Sequence, residues 1–169
     1  GVPYHYAIVW DDARTSSIVH SFDNIHQLRD QTGLPIASYF AGTKVKWLLD
    51  NVPALTQDLK EKPDQVAFGT IDSWLLYQLT GAPSKAIGAA NCGGVHLTDV
   101  TNASRWLFMD LATCTWDQEL VDAVCKGHSV PLSVLPQICP STHDFGLCSA
   151  TTSKLPLILD KVPLQAVLG

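Results

Sequence analysis

The feature that most constrains the fold is a change of pattern near the start of the chain. Tyr6-Ala7-Ile8-Val9-Trp10 is a short apolar, β-branched and aromatic run, and polar Asp11-Asp12-Ala13-Arg14-Thr15 follows it at once. Such a run predicts a buried strand whose carboxyl end turns polar, the place where α/β proteins bind ligands. Helical spacing then takes over: Ile18, Val19, Phe22, Ile25 and Leu28 predict a helix over 16–30, which Thr32-Gly33-Leu34-Pro35 stops with its glycine and proline. A strand first and helices after it place the chain in the α/β class.

The remainder keeps to that class. Residues 36–41 read as a loop, and Val45, Trp47, Leu48, Leu49 and Val52 predict a helix capped by Thr43, ended near Pro53, with Lys44 and Lys46 on its outer side. A weaker helix is expected over 54–61, a strand and turn over 66–70, and an apolar helix over 71–79 that Thr80-Gly81-Ala82-Pro83 breaks. The glycine- and alanine-rich residues 84–94 read as a loop, and 95–98 alternate like a strand. Thr101 or Asn102 is the expected cap of a short helix around 103–105, Asp117 starts an amphipathic helix to Val124, and Pro131, Pro136 and Pro140 enforce short pieces. With no internal repeat and no clear linker, the expectation is one α/β unit.

Composition narrows the function classes. Across 169 residues, 46% are apolar and only 16% charged, which excludes disorder, coiled coil and collagen. Eleven basic against sixteen acidic residues give a net charge of -5, which argues against nucleic acid as a partner. No apolar run approaches the roughly 18 residues of a membrane span, and residues 1–10 do not have the pattern of a secretion signal, so a soluble, cytoplasmic protein is expected. Cys92, Cys114, Cys125, Cys139 and Cys148 are odd in number and form no C-x-x-C, so reduced, buried thiols are the expectation. The first residue is Gly1 and the last three are Val167-Leu168-Gly169, the look of a chain cut from a longer one at both ends.

Read without reference to any family, the residues carry no catalytic signature: no phosphate loop, no G-x-S-x-G elbow, no H-E-x-x-H, and six scattered histidines that define no metal site. Asp11, Asp12 and Arg14 at the end of the first strand have two readings, a polar substrate contact or a turn with a local ion pair, and the second is favoured. Trp10 and Tyr39 are packing residues, or else the apolar face and hydroxyl handle of a polyol pocket.

Five segments resemble the glycerol kinase branch of the FGGY carbohydrate kinases. They are A-I-V-W-D-D-A-R-T (7–15), T-G-L-P-I-A-S-Y-F-A-G-T-K-V-K-W-L-L-D-N-V (32–52), F-G-T-I-D-S-W-L (68–75), H-L-T-D-V-T-N-A-S-R (96–105) and L-P-Q-I (135–138). They follow family order over almost the whole chain, and the second and fourth favour the glycerol branch over xylulose and gluconate kinases. The resemblance implies part of the N-terminal ribonuclease H-like, actin-like ATPase domain over 1–169. It also implies transfer of the ATP γ-phosphoryl group to glycerol, with Mg2+, in a full-length enzyme open to homo-oligomerisation. By the same resemblance, Trp10 and Tyr39 are the substrate contacts, and the catalytic base follows Gly169. The nucleotide and metal sites lie outside the chain, which alone is expected to be inactive.

Arg14, Asp72, Asp99, Asn102 and Arg105 also lie in family motifs, with structural duty as caps and ion pairs the expected role. The chain departs from the family at Trp106, in place of a small Thr, and at Thr151-Thr152-Ser153-Lys154, in place of a glycine-rich loop that binds fructose bisphosphate in bacterial members. An Ala-rich insertion over 82–94 is a third departure. The alternatives are another FGGY sugar kinase, or a non-catalytic binding module derived from one.

Overall fold

The computed structural model describes residues 2–23, 25–81, 94–149 and 159–169. Most of the insertion over 82–94, with Cys92, and the stretch Thr151-Thr152-Ser153-Lys154 lie outside the described residues. In chain order the helices are α1 (Ser16–His20), α2 (Ile25–Thr32), α3 (Ala41–Asn51), α4 (Pro53–Glu61), α5 (Ile71–Leu79), α6 (Val100–Ala103) and α7 (Gln118–Val124). The strands are β1 (Leu97–Asp99), β2 (Met109–Asp110), β3 (Thr115–Trp116) and β4 (Gln137–Cys139). Packing gathers these elements into two compact units, each assembled from distant stretches of chain, which is why no linker marks them in the sequence. Pro3–Pro63 with Ala103–Leu132 form one, and Asp64–Asn102 with Ser133–Gly169 form the other, together with Val2.

In the unit of Pro3–Pro63 and Ala103–Leu132, α3 sets the frame. Its Val45 and Leu49 are buried, as are Leu55 and Leu59 of α4, the i, i+4 spacing of an inward helix face. The first-turn amides of α3 are satisfied by other backbone: Ala41 N donates to the Arg105 carbonyl at 3.2 Å and Gly42 N to that of Trp106 at 2.8 Å. Those acceptors do the work expected of a Thr43 cap, so the helix starts at Ala41, and Thr43 lies inside it with its hydroxyl donating to the Phe40 carbonyl at 2.9 Å. Trp106, Leu107 and Phe108 are all buried, and Leu107 holds a left-handed φ of 67°. Further on, α7 opens as expected, the Asp117 carboxylate accepting from Leu120 N at 3.0 Å.

Further expectations are corrected in this unit. Residues 6–10 form no strand, and Tyr6 (91%), Val9 (58%) and Trp10 (68%) are exposed. A β-branched run fits a pleated surface only where another strand supplies the ladder, and among the described residues none pairs with it. The helix expected over 16–30 is two helices, because Ser21 turns back onto the Ile18 carbonyl with both its backbone N–H and its hydroxyl. Lys44 is buried rather than outward.

The other unit is built on the parallel pair β1 and β4, with Thr98 opposite Ile138. Leu76 of α5, Cys139 and Phe145 form its core, flanked by Val95, Leu97, Leu164 and Val167. Here β1 begins at Leu97, two residues later than the alternation suggested. The strand expected over 66–70 is absent: Phe68 N donates to the Val134 carbonyl at 2.8 Å, and its own carbonyl is taken by His96 Nε2 at 2.7 Å, a side-chain bond that replaces a ladder. Asp99, at the end of β1, caps α6 through the amides of Thr101 and Asn102, so the cap stands before both residues expected to supply it.

The cysteines divide. Cys125, Cys139 and Cys148 are buried, and burial pushes the Cys125 thiol up to about 12. Cys114 is exposed, against expectation, at a left-handed position (φ 54°) in the turn between β2 and β3.

Candidate functional site

Trp10 sits on a tight turn closed by Asp12 N donating to the Val9 carbonyl at 3.2 Å. Asp12 then caps a short 3-10 turn, Ala13–Thr15, by accepting from Arg14 N at 2.9 Å. The Arg14 guanidinium also grips that carboxylate, Nε at 2.9 Å and Nη2 at 2.7 Å. These bonds, the side-chain ones first, hold the Asp12 carboxyl down at about 2. Behind the ion pair, Arg14 stacks over the Trp47 ring, 4.6 Å from its centroid. The ion-pair reading of Asp12 and Arg14 is therefore the one the geometry supports. Asp11 is exposed beside them.

Tyr39 immediately precedes α3. Its neighbour Phe40 is buried at the N-cap in extended conformation, and the two rings meet edge to face at 5.1 Å. This anchor brings Tyr39 beside Trp10, with centroids 5.9 Å apart and planes inclined at 58°. Both rings remain open to solvent, Trp10 at 68% and Tyr39 at 48%. Two residues that stand 29 positions apart in the sequence thus form one exposed aromatic wedge. Chemically, it offers an indole face for carbon and a phenolic hydroxyl that can donate or accept.

Under the wedge lies a buried polar layer. The Thr15 and Thr43 hydroxyls bond each other at 3.0 Å. Lys44 Nζ donates to the Asp12 carbonyl at 3.2 Å and to the Ser38 carbonyl at 3.0 Å. Burial lowers the Lys44 ammonium from its usual range and the Arg14 charge adds to that, while the Asp12 and Asp11 carboxylates oppose it. The apolar pattern of α3 puts this lysine on the outside, and the signal against that is its position: a cation in the first turn of a helix opposes the helix dipole, so it needs acceptors of its own.

The remaining motif residues have structural partners. Asp99 is fully buried; burial alone would raise its carboxyl, but the Ser141 hydroxyl at 2.6 Å, the Thr101 hydroxyl at 2.7 Å and the Asn102 backbone and side-chain amides overcome this and hold it at about 2. Asp72 accepts from the Thr98 hydroxyl at 2.6 Å. Arg105 serves α3 through its carbonyl. Trp106 fills the core, its ring 5.3 Å from Trp116 and 6.0 Å from Phe108.

Residues 2–169 match the N-terminal domain of the FGGY family of carbohydrate kinases, and the chain belongs to that family. Among individual proteins, it is similar to the glycerol kinase of Renibacterium salmoninarum, 44% identical over all of this chain and 30% of that protein. It is likewise similar to the glycerol kinase of Deinococcus radiodurans, 45% identical over all of this chain and 30% of that protein. The chain thus spans about 30% of the length of the curated relatives it matches. Among solved structures, it resembles Plasmodium falciparum glycerol kinase with ADP, with a TM-score of 0.78 at 31% identity, over 96% of this chain and 29% of that one. The gluconate kinase of Lactobacillus acidophilus, at 21% identity and a TM-score of 0.68 over 95% of this chain and 29% of that one, shares the fold. Among the described residues no helix is long and apolar enough to cross a membrane.

Proposed function

We propose that this chain is part of the N-terminal domain of a glycerol kinase, and that Trp10 and Tyr39 hold the polyol while ATP phosphorylates it to glycerol 3-phosphate. The observation that carries the reading is the solvent-open wedge of these two rings, 5.9 Å apart, in a chain 44% identical to a glycerol kinase. In this reading the indole covers the carbon backbone of glycerol and the Tyr39 hydroxyl orients one oxygen. The resemblance to FGGY kinases at lower identity supports their fold and favours no other sugar.

ATP and Mg2+ are the expected co-substrate and ion of the whole enzyme, acting by positioning and by neutralising charge on the transferred phosphoryl group. The described residues gather no group of three or more His, Cys, Asp or Glu side chains that would hold a metal ion, and Lys44 is engaged by backbone carbonyls. The assignment of the catalytic base, the nucleotide and the ion to other parts of the whole kinase rests on the resemblance to FGGY kinases alone.

Steady-state kinetics of the intact kinase test the assignment, with glycerol varied at saturating ATP. Indole coverage acts about equally in ground and transition states, so Trp10→Ala should raise the glycerol KM more than it lowers kcat, with a loss of roughly 5- to 150-fold in kcat/KM. Tyr39→Phe removes a single hydroxyl, and its loss of about 2- to 12-fold should include a kcat component. Trp116→Ala serves as the control. An unchanged glycerol KM in Trp10→Ala, or an equal rise in Trp116→Ala with folded protein retained, would make Trp10 a packing residue.

A further inference from the structure

We infer that Lys44 is a positioning residue for polyol binding: its ammonium ties together the two backbone segments that carry Trp10 and Tyr39, and so fixes the opening of the wedge. The proposal rests on the pocket reading above and adds to it a residue that touches no substrate.

Trp10 is 68% exposed and Tyr39 48%, Tyr39 leans edge to face on the buried Phe40 ring while Trp10 meets the open Tyr39 ring, and each rides on a short non-repetitive segment. Lys44 Nζ bonds one carbonyl on each segment, Asp12 two residues beyond Trp10 at 3.2 Å and Ser38 one residue before Tyr39 at 3.0 Å. The same layer is reinforced by the Thr15 and Thr43 hydroxyls, 3.0 Å apart, and by weaker contacts of both with the Ser38 carbonyl at 3.4 Å. Lys44 stands on α3, whose first turn is itself fixed by the Arg105 and Trp106 carbonyls, so the strap is anchored to a rigid element.

The chemistry of the residue supports the same role. A buried ammonium in the first turn of a helix opposes both solvation and the helix dipole, and a methionine would fill similar space without either cost. What an apolar side chain cannot do is donate to two carbonyls on different segments at once. The long stem of lysine reaches both carbonyls from α3, and both rings keep their exposure to solvent. A strap of this kind acts on ligand geometry, where a displacement on the order of 1 Å suffices to cost up to about 100-fold.

The experiment compares Lys44→Met, Lys44→Gln, Trp10→Ala and the Lys44→Met/Trp10→Ala double variant in the intact kinase, with glycerol and ATP varied in turn. Lys44→Met should raise the glycerol KM roughly 5- to 50-fold and leave the ATP KM within about twofold. In the Trp10→Ala background the same substitution should add less than about twofold, because the wall it positions is already gone. A merely structural lysine would lower the yield of active enzyme and leave the glycerol KM of the surviving fraction unchanged. Either that result or a fully multiplicative effect in the double variant overturns the proposal. Lys44→Gln keeps a neutral donor too short to reach both carbonyls, and if Lys44→Met yields no folded enzyme it is read by the same criteria, alone and combined with Trp10→Ala. Failure of the pocket reading gives a separate signature, an unchanged glycerol KM in Trp10→Ala itself.

Discussion

Two aromatic pairs in the same unit meet at nearly the same geometry and rest on different physics. Trp10 and Tyr39 lie 5.9 Å apart and Trp106 and Trp116 lie 5.3 Å apart, both inclined at 58°. Trp106 is 1% exposed and Trp10 is 68% exposed. Trp106, the buried member of its pair, is held by apolar contact with Phe108 and by the backbone that its own segment lends to α3, while Trp116 is half-buried. Around the exposed pair most supports are polar, an arginine gripping an aspartate, two hydroxyls and one lysine, with the buried Phe40 ring beside Tyr39 as the apolar one. Ring geometry alone therefore says nothing about function. What separates the open wedge from the core tryptophan is the exposure of the ring.

The sharpest way to break this contrast is to truncate the buried ring. Trp106→Ala should cost about 3 to 5 kcal/mol, the range for emptying a large core site, and thermal or denaturant unfolding would read it directly. A loss under 1 kcal/mol would remove the distinction. Next in size is Gly42→Ala. Gly42 lets α3 approach the Trp106 carbonyl, and an added Cβ would also come within 2.8 Å of the Phe108 ring, so a loss of about 1 to 3 kcal/mol is expected.

Acid provides a smaller and more local probe. Asp12 is held at about 2, below its ordinary 3.8, so the stability it lends is fully present above roughly pH 4 and is lost as pH falls through about 2. Tryptophan fluorescence in Asp12→Asn should lack a transition in that window that the parent shows, since Trp10 rides on the turn that Asp12 closes. The smallest effect should be that of Trp10→Ala on stability, within about 0.5 kcal/mol, because an exposed ring leaves no cavity. A melting loss comparable to that of Trp106→Ala would place Trp10 in the core and refute the contrast from the other side.

The sequence itself determined that helices form and where several of them start or stop, because that information is local. Periodic apolar residues, Pro53 at the start of α4, Gly33 at the end of α2 and Asp117 before α7 all act within one turn of the element they shape. For Trp10 and Tyr39 the residues alone left packing and a pocket wall both open, and only the resemblance to FGGY kinases singled them out as substrate contacts. Tertiary structure decided the rest. Whether residues 6–10 are a strand depends on a partner that no local pattern specifies, and the left-handed φ of Leu107 belongs to a segment whose neighbouring carbonyls at Arg105 and Trp106 cap a distant helix. Lys44 shows the division most plainly. Its charge and its helix were legible from the chain, but its burial depends on carbonyls at Asp12 and Ser38, 32 and 6 positions away, which only folding brings within hydrogen-bond reach.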